Sequence, residues 1–311
     1  MGYPVFREGH DNRLWSANTG DMSKRPPTVR MRRLGVLLRK LREDHGMTLE
    51  EAARFLRLSK SALNRMENAQ VITREHEVSY ILMKYGIADT DDRAISMLGL
   101  ASAGRSRDWM KRYALLGSAS KVTNFLRLEQ DSRLIRAYEP LLIPGLLQEP
   151  AYSRAVMESV TPFPGTDVEW ALNLRKARKD VLTRPEPAHL QVVIGDAVLR
   201  QGLGGPDVMR RQLLHVADAM TQPNVQVQVL PSRLLRNPGV DGAFTMLDVE
   251  LGDFTVVMID SLVRSICIED EEEVQAYEGV FRDLQGMAYS PDESRELILR
   301  GADEPWAPSQ H

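Results

Sequence analysis

The sequence predicts a multidomain chain: a small all-α domain followed by a larger α+β domain, a mixed sheet with flanking helices. Three observations carry this. At 311 residues the chain exceeds one ordinary domain. Between residues 29 and 103 the apolar positions recur at helical spacing, with caps and glycine stops between the runs. Beyond residue 120, short strand-like runs such as Val225-Gln-Val-Gln-Val-Leu230 interleave with amphipathic helices. The expected boundaries are a disordered tail over 1–28, a helical domain over 29–103, a linker with a short helix over 104–119, an α+β domain over 120–300 and a disordered tail over 301–311.

The first helix is predicted over Val29–His45. Met31, Leu34, Leu38 and Leu41 share a face, and Gly46 stops it. Arg32, Arg33, Arg39 and Lys40 make it strongly basic. Next comes Met47–Asn68, two short helices around a tight turn. Thr48 is the N-cap of the first, with Glu51 closing a capping box. Ala52, Ala53 and Leu56 form its apolar face, and Leu58 is expected buried in the turn. Ser59 caps the second helix, and Leu63 and Met66 point back to the first. Lys60, Ser61, Asn64 and Arg65 are left facing outward. Hydroxyl, amide and cationic donors on one helix face suit the major groove of DNA. A hairpin that only packs is the plainer alternative.

This stretch resembles the helix-turn-helix of lambda repressor/Cro-like (Xre-family) regulators. The likeness runs over Val29–Leu100 and rests on Leu41-Arg42, Gly46, Thr48, Glu50-Glu51, Ala53, Ser59, Ser61, Leu63, Arg65 and Glu67. Two positions depart: Leu49 stands where Gln is frequent, and Arg57 where the turn usually holds Gly. The resemblance implies a five-helix domain, a structural Arg42–Glu67 pair, and binding as a homodimer to a two-half-site operator. Further helices are expected over Glu75–Tyr85 and Asp91–Ala103. Residues 103–107 are the linker candidate, and Trp109 and Tyr113 mark the short helix after it.

Beyond the linker, Asn124–Ala137 reads as a helix and Ala151–Ser159 as another. Leu190–Ile194 and Val225–Leu230 flank the amphipathic helix Asp207–Met220, a parallel strand–helix–strand unit whose second strand has one wet face. Ala243–Val249, Phe254–Ile259 and Ser265–Ile268 read as a meander, the nearly continuous apolar Phe254 run as a central strand. The acidic run Glu269–Glu273 opens a helix, and Ser290-Pro291-Asp292-Glu293 caps the last one. Tyr138, Ile143-Pro144-Gly145-Leu146-Leu147-Gln148, Tyr152-Ser153-Arg154-Ala155, Val198-Leu199-Arg200, Val229-Leu230-Pro231 and Gly242-Ala243-Phe244 resemble, in this order, an uncharacterised domain that follows the Xre-type module in many bacterial regulators. That resemblance implies a module sensing a protein partner, a small acidic protein.

Charge is unevenly spread. Residues 28–68 hold ten Lys/Arg against five Asp/Glu, net +5; the remainder, 30 against 38, is −8. A basic module on an acidic body fits a small DNA reader on a body that does not touch DNA. No apolar run approaches a membrane span, and the N-terminus lacks a signal-type core. The single Cys267, flanked by Ile266 and Ile268, reads as a buried strand position, and a cytoplasmic setting is expected. Met22 begins a plausible natural start, which leaves open whether residues 1–21 belong to the natural protein or are an artefact or an added extension. Residues 1–28 read as a solvated tail, with Arg25 and Arg30 within reach of phosphates as the alternative.

Catalytic and cofactor signatures are missing from the sequence. There is no phosphate loop with its Lys, no Gly-x-Gly-x-x-Gly and no Gly-x-Ser-x-Gly. Gly202–Gly205 reads as a turn, His215 as a core or edge side chain, and Arg175-Lys176-Arg178-Lys179 as a solvated face or an anchor for an acidic partner. The expectation is a sequence-specific DNA-binding transcription regulator, not an enzyme, with no cofactor or metal. Its base and phosphate contacts are expected from Lys60, Ser61, Asn64 and Arg65, with Thr48, Ser59 and the basic first helix on phosphates. Its scaffold residues are Arg42, Ala53, Leu58, Leu63 and Glu67. The alternative makes the body a ligand- or partner-binding module with DNA binding as its output, or, more remotely, an enzyme with an unrecognised site.

Overall fold

The computed structural model describes residues 27–102, 120–160, 168–249, 253–260 and 265–303. The linker and the Trp109–Tyr113 helix lie outside the described residues, as do both chain ends. Five helices form the first domain: α1 (Val29–Asp44), α2 (Leu49–Phe55), α3 (Lys60–Glu67), α4 (Glu75–Lys84) and α5 (Asp92–Ala101). The apolar faces read from the sequence meet in one core, where Leu34, Leu38, Leu41, Ala52, Leu56, Leu63 and Ile81 are buried. Helices α1 and α4 stop at Gly46 and Gly86, both in the left-handed region at φ 66° and 72°. Gly35 is required by packing: a β-carbon there would lie 2.5 Å from the Glu67 carbonyl oxygen, so α1 and the end of α3 meet backbone to backbone.

The second domain contains α6 (Ser120–Gln130), β1 (Ser132–Glu139), α7 (Pro150–Val160), α8 (Val168–Arg178), β2 (His189–Gly195), α9 (Pro206–Ala219), β3 (Val225–Leu230), β4 (Phe244–Val249), β5 (Phe254–Asp260), β6 (Ser265–Ile268), α10 (Glu271–Met287) and α11 (Pro291–Asp303), with a 3-10 turn at Gly145–Leu147. The strands form one mixed sheet in the order β3-β2-β1-β4-β5-β6. β1, β2 and β3 are parallel; β4, β5 and β6 follow as an antiparallel meander from β1. Alternate residues feed two cores. Ile135, Val192, Val227, Leu247 and Val256 pack under α7, α9 and α11 with Tyr152, Leu213 and Ile298. Tyr138, Val193, Leu230, Phe244 and Val257 pack under α10 with Phe281 and Leu284.

Five expectations are corrected. Residues 124–137 are not one helix: α6 ends at Gln130, and the chain then enters β1, a central strand. Leu134, Ile135, Ala137 and Tyr138 match helical spacing, but Ile135 and Ala137 serve one core and Tyr138 the other. A strand covered on both faces loses its alternation, which is why the pattern misleads. The apolar β5 lies second from the edge instead of at the centre. β3 has no wet face: Gln226 is half-buried, and Gln228 is buried with its amide donating to the Tyr289 carbonyl at 2.9 Å beneath the α10–α11 turn. Leu58 is half-buried rather than buried. The last helix runs on through Gly301 to Asp303, because Ala302 is buried in the larger core.

Glu139 ends β1 on the same face as Ile135 and Ala137, and burial, then the Asp260 charge, pushes its carboxyl up to about 7. A raised folded pKa means the folded protein holds this proton more tightly than the unfolded chain. The stabilisation is therefore full below about 4.5 and is lost as pH rises through 7. Over that window the second domain is expected to lose on the order of 2–3 kcal/mol, and Glu139→Gln to remove that loss. Urea unfolding at stepped pH measures it; parallel profiles for the two proteins would refute it.

Candidate nucleic-acid interface

The reader helix is built from its caps. Thr48 accepts a hydrogen bond from Glu51 N at 3.3 Å, while the Glu51 carboxylate accepts from Thr48 N at 2.8 Å. The Thr48 hydroxyl, then its backbone N–H, holds the Glu51 carboxyl below its usual range. The turn between α2 and α3 passes through Arg57 at φ 54°, a conformation glycine would adopt more easily. Ser59 then caps α3, its hydroxyl accepting from Ala62 N at 3.1 Å. Ala53, Leu63 and Glu67 are buried, which fixes the rotation of α3. Lys60, Ser61, Asn64 and Arg65 all face solvent, with the second domain in place. They occupy one stripe of the helix, at i, i+1, i+4 and i+5.

These side chains are not equally free. Lys60 Nζ lies 3.6 Å from the Glu50 carboxylate, an exposed pair that water and salt readily screen. Asn64 Oδ1 accepts from Asn68 Nδ2 at 3.0 Å, and Asn68 Oδ1 in turn accepts from Arg39 at 2.7 Å. Asn68 therefore orients Asn64. Only the i, i+4 spacing of two amides on one helix face signals this in the sequence. Arg65 meets no carboxylate among the described residues and is the unencumbered cation of the stripe. The Ser59 hydroxyl is engaged in its cap, as is that of Thr48.

The Arg42–Glu67 pair locks α3 to α1. Arg42 Nε and Nη2 donate to the two Glu67 oxygens at 2.7 and 2.9 Å, and Arg42 Nη1 donates to the Met47 carbonyl at 3.0 Å. The Glu67 hydrogen bond, opposed by burial, raises the Arg42 pKa. Only 2% of the Glu67 side chain is exposed, so deleting it strands a nearly buried cation. Glu67→Ala is expected to cost about 3 kcal/mol, read as a lowered urea midpoint of the first domain. A change within experimental error would show that the pair holds nothing.

The basic face of α1 is placed differently from the expectation. Arg30 is buried and pairs with Asp131 just before β1. Arg32 is held by both oxygens of Glu269. Arg33 lies over the Phe254 ring, 5.6 Å from its centre. Three arginines expected near phosphates therefore dock α1 on the second domain, leaving Lys40 as its exposed cation without an ion pair among the described residues. Glu269, read as part of a helix start, is the docking group, while Asp270 caps α10. Cys267 is half-buried beside Glu269, at 3.8 Å; burial, then the Glu269 charge, pushes its thiol up to about 12. Arg175 and Arg178, read as surface cations, turn into the second domain, while Lys179 lies 3.2 Å from His215 Nε2. Burial, then Lys179, lowers the His215 pKa.

Two protein families match the chain. A family described as a helix-turn-helix domain matches residues 33–94, and one described as Domain of unknown function (DUF5753) matches residues 122–300. No curated protein and no solved structure matches. Among the described residues, no helix is long and apolar enough to cross a membrane. The helix-turn-helix match and the capped, exposed α3 mark a DNA-binding regulator. With more than half its length in the second match, the chain belongs to the DUF5753 family, here as the C-terminal domain behind a helix-turn-helix.

Proposed function

We propose that this chain is a sequence-specific transcription regulator of the Xre type, which reads the major groove with α3 and couples that reading to its second domain. The observation that carries it is the polar stripe Lys60, Ser61, Asn64 and Arg65, exposed on a helix capped at both ends and locked by Arg42–Glu67. Arg65 reads guanine and Asn64 adenine, as their donor patterns allow. Two chains bind two half-sites as a homodimer. The reading is of a cytoplasmic, non-enzymatic regulator whose second domain answers to a small molecule or a small acidic protein.

Arg65→Ala is expected to weaken operator binding by ~1–3 kcal/mol and to relax specificity at one base pair. Genome-wide recovery of bound DNA with both proteins measures this. Sharp peaks sharing a palindrome, lost in the variant, are expected. Uniform weakening over all sequences would place Arg65 on phosphate, and diffuse signal from both proteins would sink the reading.

Coupling rests on the Arg30–Asp131 and Arg32–Glu269 contacts, which tie the helix behind α3 to β1 and to the chain after β6. Asp131→Asn combined with Glu269→Gln is expected to split thermal unfolding into two transitions, where the native chain is expected to unfold in one. Identical single transitions would show that the domains do not communicate through these arginines.

A further inference from the structure

Beneath the sheet, at the C-terminal ends of β1 and β5, lies a cavity of about 180 Å³. It is smaller than the roughly 300–1,000 Å³ of sites that hold drug-sized ligands, a size that suits a small metabolite. Ligands of open α/β sheets gather at this end of the strands. One wall is apolar, with Leu142, Ile143, Leu146 and Val156 among its residues. The other wall carries charge, and its charges are unevenly matched.

Arg178 is satisfied. It donates to both Glu129 oxygens at 2.7 Å and covers Phe125 at 5.1 Å. Arg175, one helical turn away, has no carboxylate within ion-pair distance among the described residues. Its guanidinium meets the neutral side-chain oxygen of Gln148, which the Ser153 hydroxyl also approaches at 3.1 Å. The Glu139 carboxyl, which also lines the cavity, likewise has no hydrogen bond or ion pair among the described residues, and Asp260 lines the same cavity. Arg175 and Glu139 are beyond ion-pair reach of each other. A cation without an ion pair and a carboxyl without a hydrogen bond among the described residues, both bordering one small cavity, leave charge-assisted contacts open to a ligand that spans them.

We infer that this cavity binds a small zwitterion, an α-amino acid with an apolar side chain, its carboxylate on Arg175, its ammonium on Glu139 and Asp260, and its side chain against Leu142, Ile143 and Leu146. Two shifts support the geometry. Burial, then Arg178, draws Arg175 down to about 10, and burial, then Asp260, draws Glu139 up to about 7, each outweighing the smaller opposite charge that the two groups offer one another. The inference deepens the proposed sensing role by naming its ligand class. Its test contains no DNA, so a failed operator assay and a failed ligand assay are distinguishable.

The full chain is titrated calorimetrically with leucine, isoleucine and valine, with 4-methylpentanoate, which lacks the ammonium, and with 3-methylbutylamine, which lacks the carboxylate. At least one amino acid is expected to saturate and to bind ~10-fold or more tighter than either half-molecule, since each lost charge-assisted contact is worth that much. Glu139→Gln is expected to bring the amino acid down to the affinity of 4-methylpentanoate while leaving 4-methylpentanoate itself unchanged. Arg175→Gln should abolish the preference for the carboxylate; should it fail to fold, the Glu139→Gln arm decides alone. Equal binding of all probes, no saturable amino acid binding, or an unchanged preference in Glu139→Gln would each overturn the assignment.

Discussion

Helix α1 is buried on two sides, and the arrangement of both domains follows from that. One face sends Leu34, Leu38 and Leu41 into the helical core and lets α3 close on Gly35. Another sends Arg30, Arg32 and Arg33 to the second domain, and its first residue, Val29, is fully buried in that domain's core. A helix committed on both sides cannot rotate without losing apolar burial or stranding desolvated guanidiniums. Asp131 shows the second cost: burial raises its carboxyl pKa more than Arg30 lowers it. Groups desolvated this strongly stay put only while paired.

The stiffness reaches the reader helix in one step. Arg42 leaves the same α1 and grips Glu67, and Arg39 reaches Asn68, which orients Asn64. A shift of the second domain against α1 therefore has a short mechanical route to the exposed stripe. The second domain has, in its turn, a charged cavity where α8 meets the ends of β1 and β5. Strand β1 joins the two: Asp131 just before it holds Arg30, and Glu139 at its end borders the cavity. A sheet strand transmits small displacements because its neighbours on both sides, β2 and β4, are hydrogen-bonded along its length.

Departures from the expected family pattern turn out to preserve geometry. The Glu149 carboxylate caps α7, accepting from Ala151 N at 2.9 Å and from Tyr152 N. Arg57 replaces the turn glycine and takes the left-handed conformation itself, a strain of order 1 kcal/mol that the buried Leu56 and Leu63 on either side can hold. Caps and turns tolerate such exchange because they need an acceptor or a φ value, not a particular residue.

What the sequence by itself determined is everything local. The capping residues Thr48, Ser59 and Ser290, the glycine stops, the helix-turn-helix spacing and the outward set of α3 follow from interactions within four residues along the chain. They needed no knowledge of what packs against them. Tertiary structure alone decided what each surface faces. β1 read as helix because a strand sandwiched between two cores carries no alternation. The basic face of α1 read as a DNA surface because an arginine's sequence context is the same whether it meets phosphate or a carboxylate more than two hundred residues later, as Arg32 meets Glu269. Arg175 read as part of a solvated face or an anchor for an acidic partner for the same reason: only the fold brings a turn of α8 and the end of β1 to one cavity.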